Sequence, residues 1–123
     1  MKKSLNEIAL IIFEKHHAPK FEKPLRYLFE ILRKEQAFDY HIMPEEKIKE
    51  FFVLVEQHLA GDKSKELYLL EKAPLVWKAY LSRRPRDVEI RREIPELSEY
   101  TGISEKELYE FFDGIKKMEI LTI

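Results

Sequence analysis

Five arginines fall within residues 83–92, at Arg83, Arg84, Arg86, Arg91 and Arg92, with Lys78 one or two helical turns upstream. Planar guanidinium groups pair bidentately with phosphate oxygens, so this cluster points to anion binding. The competing expectation is a solvated helix end, where the cations offset the C-terminal dipole and pair with Asp87, Glu89 and Glu93. His16, His17, His41 and His58 raise a metal-binding alternative, and Glu14 with His17 has the i, i+3 spacing used in carboxylate-bridged metal bundles. Such a centre needs a second Glu-x-x-His and further inward carboxylates. No second Glu-x-x-His occurs, so no metal is expected and the histidines are read as exposed or helix-terminal.

Other chemistries lack their residues. The three glycines, Gly61, Gly102 and Gly114, form no phosphate-cradling loop, and there is no cysteine to act as nucleophile or thiolate ligand. No serine sits in a nucleophile elbow. Carboxylates are numerous, but no spacing singles out an acid/base pair. Catalysis and a bound cofactor are therefore not expected.

The 123 residues are 45% hydrophobic and 12% aromatic, enough for one domain with a real core. No apolar run approaches the ~18 residues of a membrane span. The start, Met1 to Glu7, brings an acidic residue and no small-residue cleavage site, so a soluble cytoplasmic protein is expected. With 37% charged residues, one Asn and two Gln, the usage is thermophile-like. The net charge of −1 hides a segregation: residues 1–60 are neutral, residues 61–92 carry +4 and residues 93–123 carry −5.

Ser4-Leu5-Asn6-Glu7 is a capping box, and Leu5, Ile8, Ala9, Ile12 and Phe13 repeat along one helical face, predicting a helix from Ser4 to His16. Leu10 and Ile11 make it apolar all round, so it is either central in the core or covered by a second subunit, and a homodimer is expected. A second helix should follow Phe21, with Pro24 in its first turn, Leu25, Leu28, Phe29 and Leu32 buried, and an end near Phe38. Pro44, Glu45 and Glu46 open a third, with the stripe Ile48, Phe51, Phe52, Val55 and Leu59, closed by Gly61. A fourth segment, Ser64 to Arg84, holds Pro74, which should kink or divide it, and turns Trp77, Tyr80 and Leu81 inward. Val88 and Ile90 alternate around Glu89 like a short strand, as does the β-branched stretch Glu119 to Ile123.

Between those strands lies Leu97-Ser98-x-x-Thr101-Gly102-Ile103-Ser104-x-x-x-Leu108-x-x-Phe111-Phe112-x-x-Ile115. Two helices meeting steeply across a short turn need a small residue at the crossing and glycine at the bend, which Ser98 and Gly102 supply. Ser104 and Glu107 form a capping box for the second helix. The segment resembles the helix-turn-helix superfamily, and with a strand on either side it resembles a winged helix without its second wing strand. That resemblance implies a role in transcription or another nucleic-acid transaction, with Ser104, Lys106, Tyr109 and Lys116 facing a groove. Glu105, Glu110 and Asp113 share that surface and would repel phosphates, which opens a protein partner as the alternative.

The expected fold is mainly α: an N-terminal helical bundle (residues 1–62) packed on a C-terminal helix-turn-helix subregion (residues 63–123) with one or two short strands, all in one domain. The expected function is a small non-enzymatic regulatory protein that binds nucleic acid through Lys78, Arg83, Arg84, Arg86, Arg91, Arg92, Ser104, Lys106, Tyr109 and Lys116. The alternative is an adaptor or assembly subunit whose acidic helix-turn-helix surface docks a basic protein.

Overall fold

The structure, a computed structural model, describes residues 3–14, 25–82, 94–99 and 101–118, with residues 25–28 described by their backbone alone. It is mainly helical. The helices are α1 (Leu5–Ile12), α2 (Leu25–Lys34), α3 (Glu45–Leu59), α4 (Glu66–Ser82), α5 (residues 94–99) and α6 (Glu105–Lys117). No strand occurs among the described residues; both expected strands, at Val88–Ile90 and Glu119–Ile123, lie outside them, as do Pro24 and the continuation of α1 to His16. Among the described residues no helix is long and apolar enough to cross a membrane.

α1 begins at Ser4, whose hydroxyl accepts from the Glu7 amide at 3.2 Å, and ends in a wider π-type turn over Phe13 and Glu14. Ile8, Ala9, Leu10, Ile12 and Phe13 are all buried because α1 is the centre of the molecule, packed on both α4 and α6. Its own chain covers Leu10 as well as the inward stripe and leaves Ile11 half-buried.

α2 ends four residues short of the expected Phe38. The Gln36 amide bonds the Arg33 carbonyl (3.0 Å) and the Ala37 amide reaches the Leu32 carbonyl (2.9 Å), a Schellman ending with Gln36 left-handed at φ +54°. A non-glycine residue there carries strain of order 1 kcal/mol. Reversing the chain at Gln36 returns Phe38 to the core, 6.3 Å from the Phe29 ring and 6.2 Å from that of Phe52.

α3 ends in the same way at Gly61, φ +116°, as its position led one to expect. Its stripe differs at the last turn, where Leu59 is 44% exposed and His58 is buried. Leu59 keeps to the line of Ile48, Phe52 and Val55 but is the last helical residue. Beyond it, the Ser64 hydroxyl (2.6 Å) and amide (3.0 Å) bond Asp62 Oδ1 and hold that carboxyl below the ordinary aspartate range.

Pro74 does not divide α4. A proline removes the amide that would bond the carbonyl four residues back, here Leu70. Asn6 Nδ2 of α1 donates to the Leu70 oxygen at 2.7 Å and satisfies it. One helical turn along α1, the Ala9 carbonyl accepts from Trp77 Nε1 at 2.9 Å. Rings then run in near contact through the core: Phe29 to Phe52 (5.8 Å), Phe52 to Phe13 (5.6 Å), Phe13 to Trp77 (4.8 Å), and Trp77 to Phe111 (6.0 Å) and Phe112 (5.9 Å). The helices before α4 and the pair α5–α6 thus share one core, joined through α1 and α4.

Candidate functional site

The turn between α5 and α6 is held by its own short polar side chains. The Gly102 amide bonds the Ser98 carbonyl at 2.9 Å, Thr101 Oγ1 donates to the Leu97 carbonyl at 2.7 Å, and Ser98 Oγ crosses the turn to the Ile103 carbonyl at 2.7 Å. Thr101 Oγ1 also accepts from the Ile103 amide at 3.2 Å. Ser98 therefore does more than leave room at a crossing, and the part played by Thr101 was missed in sequence, although Ser and Thr that bond nearby backbone are a known turn signal. Gly102 is at φ +75°, with open space where a Cβ would stand. Gly102→Val should cost about 1–3 kcal/mol from backbone strain alone. Thermal unfolding followed by circular dichroism checks this: a midpoint equal to wild type would mean the turn is not left-handed.

Ser104 caps α6 by accepting from the Glu107 amide at 3.2 Å. Ile94, Leu97, Ile103, Leu108, Phe111, Phe112 and Ile115 are buried, so the inner side of this segment belongs to the core. The outer side of α6 presents Glu105, Lys106, Tyr109, Glu110, Asp113, Lys116 and Lys117, all exposed, with Tyr109 at 45%. Three carboxylates and three ammonium groups balance there. They are ordered along the axis: Glu105 and Glu107 stand at the N-terminal turn and Lys116 and Lys117 at the C-terminal one, which suits the helix dipole. Lys117 Nζ lies 3.0 Å from Asp113 Oδ2.

The residues expected to contact a partner divide into three groups. Lys106, Tyr109 and Lys116 lie together on the exposed face of α6. Ser104 and Lys78 have structural bonds, Ser104 as the cap and Lys78 through its ammonium, which donates to the Lys116 carbonyl at 2.7 Å. Arg83, Arg84, Arg86, Arg91 and Arg92 lie outside the described residues.

A second polar cluster was not foreseen. His58, in the last turn of α3, is buried with its Nε2 3.0 Å from Glu14 Oε1. A carboxylate can only accept, so the proton on Nε2 points at Glu14. Nδ1 is buried with no partner among the described residues, and Lys63 Nζ stands 3.5 Å from Nε2 while donating to the His58 carbonyl at 3.1 Å. Glu14 and His58 are 44 positions apart in the chain, so no local spacing announces the pair. His41 is exposed, and its amide bonds Asp39 Oδ1 at 3.0 Å; His16 and His17 lie outside the described residues. Among the described residues no three or more His, Asp or Glu side chains converge as a metal site. Compared with protein families, with curated proteins and with solved structures, the chain matches none.

Proposed function

We propose that this protein is a small, non-enzymatic, cytoplasmic regulatory module that binds nucleic acid, with α5 and α6 as a helix-turn-helix of winged-helix character. The observation that supports this is the turn itself: a left-handed Gly102 locked by Ser98 and Thr101, followed by a capped helix whose outer residues are exposed. In this reading Lys106, Tyr109 and Lys116 face the groove, and Arg83, Arg84, Arg86, Arg91 and Arg92 supply the phosphate contacts that dominate affinity. The division follows from charge, since the face of α6 is balanced and cannot attract a polyanion by itself. A second reading, an adaptor that docks a basic protein, draws support from Glu105, Glu110 and Asp113 on that same face.

Fluorescence anisotropy with labelled duplex and single strands over a salt series tests the proposal. Wild type should bind at low ionic strength and weaken steeply as salt rises. Replacing Arg83 and Arg84 with Glu should weaken all sequences about equally and flatten the salt slope by about 1 per lost phosphate contact. Replacing Glu105 and Glu110 with Gln should strengthen binding by removing repulsion. No salt-dependent binding by wild type at low ionic strength would reject the nucleic-acid reading in favour of the adaptor.

A further inference from the structure

The last carbonyls of a helix have no donor within the helix. At the end of α6 the Met118 amide serves the Ile115 carbonyl at 3.2 Å, and the next carbonyl, that of Lys116, is served from another helix by Lys78 Nζ at 2.7 Å. An ammonium there also meets the negative end of the helix dipole. Trp77, the neighbour of Lys78, sets its ring edge-on against Phe111 and Phe112. One point of α4 thus grips α6 twice, through apolar rings on its inner side and through a charged hydrogen bond at its terminus. From α1, Leu5 approaches so closely that a Cβ on Gly114 would stand 3.1 Å from Leu5 Cδ1. The position of α6 is fixed from two helices, and its polar end is fixed by Lys78.

We infer that Lys78 is a positioning residue, which sets how the outer face of α6 is presented and does not itself touch the partner; this rests on reading that face as the working surface. A lysine on phosphate leaves its mark as about 1 in the salt slope, whereas a lysine that holds a helix end leaves the slope alone.

Lys78→Met keeps the stem and removes the ammonium, and Lys78→Arg keeps a charged donor. Both are compared with wild type, as the full chain, by amide hydrogen exchange and by anisotropy with a labelled duplex over a sodium chloride series. In Lys78→Met, exchange at residues 115–118 should be about 3- to 10-fold faster, the scale of one lost hydrogen bond. Affinity should fall by a similar factor at every salt concentration with the slope unchanged, and Lys78→Arg should restore both. A slope flattened by about 1 with α6 exchange unaltered would make Lys78 a phosphate contact and overturn the inference. Faster exchange with unchanged affinity would reduce it to a structural tie, which also overturns it. If wild type binds no duplex, the nucleic-acid reading fails by itself. The exchange arm then still tells the two failures apart: faster exchange at residues 115–118 would leave Lys78 a structural tie with no binding face to position, and unaltered amides would show that Lys78 does not hold α6; either overturns the inference.

Discussion

Trp77→Ala should lower stability by about 3–5 kcal/mol, the usual cost of deleting a large aromatic side chain from a core. For a chain of this size that is a fall of about 10–20 °C in the unfolding midpoint. The size of the effect comes from where Trp77 stands. It is 4% exposed and meets Phe13 from α1, Tyr80 on its own helix, and Phe111 and Phe112 from α6. Its Nε1 also supplies a hydrogen bond to the Ala9 carbonyl at the centre of the molecule. Trp77→Phe separates the two contributions, because a ring remains while the donor is lost; it should cost about 1–3 kcal/mol. Trp77 is the only tryptophan, so both variants are followed by circular dichroism in urea rather than by fluorescence. A loss under 1 kcal/mol in Trp77→Ala would mean that α1, α4 and α6 do not meet around this ring.

Helix caps and left-handed glycines, decided within a few residues, were legible in the sequence. Ser4 and Ser104 cap their helices, and Gly61 and Gly102 take left-handed backbones at the places their neighbours indicated. Cap and turn chemistry depends on which group sits two or three positions away, and a sequence displays that directly. What it hid was set by contacts across the fold. Pro74 breaks a local rule, and the remedy, Asn6, stands 68 positions earlier on α1. Leu59 is exposed where burial was expected, and His58, helix-terminal as expected, is buried, because burial at a helix end depends on which other element reaches it. The early stop of α2 is a further case, since Gln36 has no intrinsic preference for φ > 0 and adopts it to bring Phe38 back under Phe29 and Phe52.

The candidate site divides along the same line. The outer face of α6 could be read from helical spacing, so Lys106, Tyr109 and Lys116 were placed together correctly on that face. Lys78 joins the arginine cluster by charge and nearness in the sequence, and Ser104 joins the α6 residues by its place at the head of the motif's second helix. Whether a cation is available to a partner depends on what lies within reach of its head group, and for Lys78 that is a carbonyl on another helix. Even a strongly basic stretch next to a helix therefore need not lend all its cations to binding.

The buried pair of Glu14 and His58 gives the second large effect. Glu14→Ala should destabilise the protein by about 1–3 kcal/mol, because His58 Nε2–H loses its acceptor inside the fold. Among the described residues, the other polar group near Nε2 is the Lys63 ammonium at 3.5 Å, which is itself a donor. If the neutral imidazole shifts its proton to Nδ1, Nε2 accepts from Lys63, but the N–H then sits on buried Nδ1, which has no acceptor among the described residues, so an orphan donor remains in either tautomer. Glu14→Gln leaves an amide oxygen able to accept from Nε2 and should keep most of the stability. His58→Leu removes the group that needs a partner, and a double variant, Glu14→Ala with His58→Leu, should therefore be more stable than the sum of the two single losses predicts. Coupling of about 1 kcal/mol or more in this cycle is the expected result, measured by urea unfolding of all four proteins at one pH. Additive losses would mean that the two side chains do not act together. Equal losses in Glu14→Ala and Glu14→Gln would locate the contribution of Glu14 in its charge instead of in the hydrogen bond to His58.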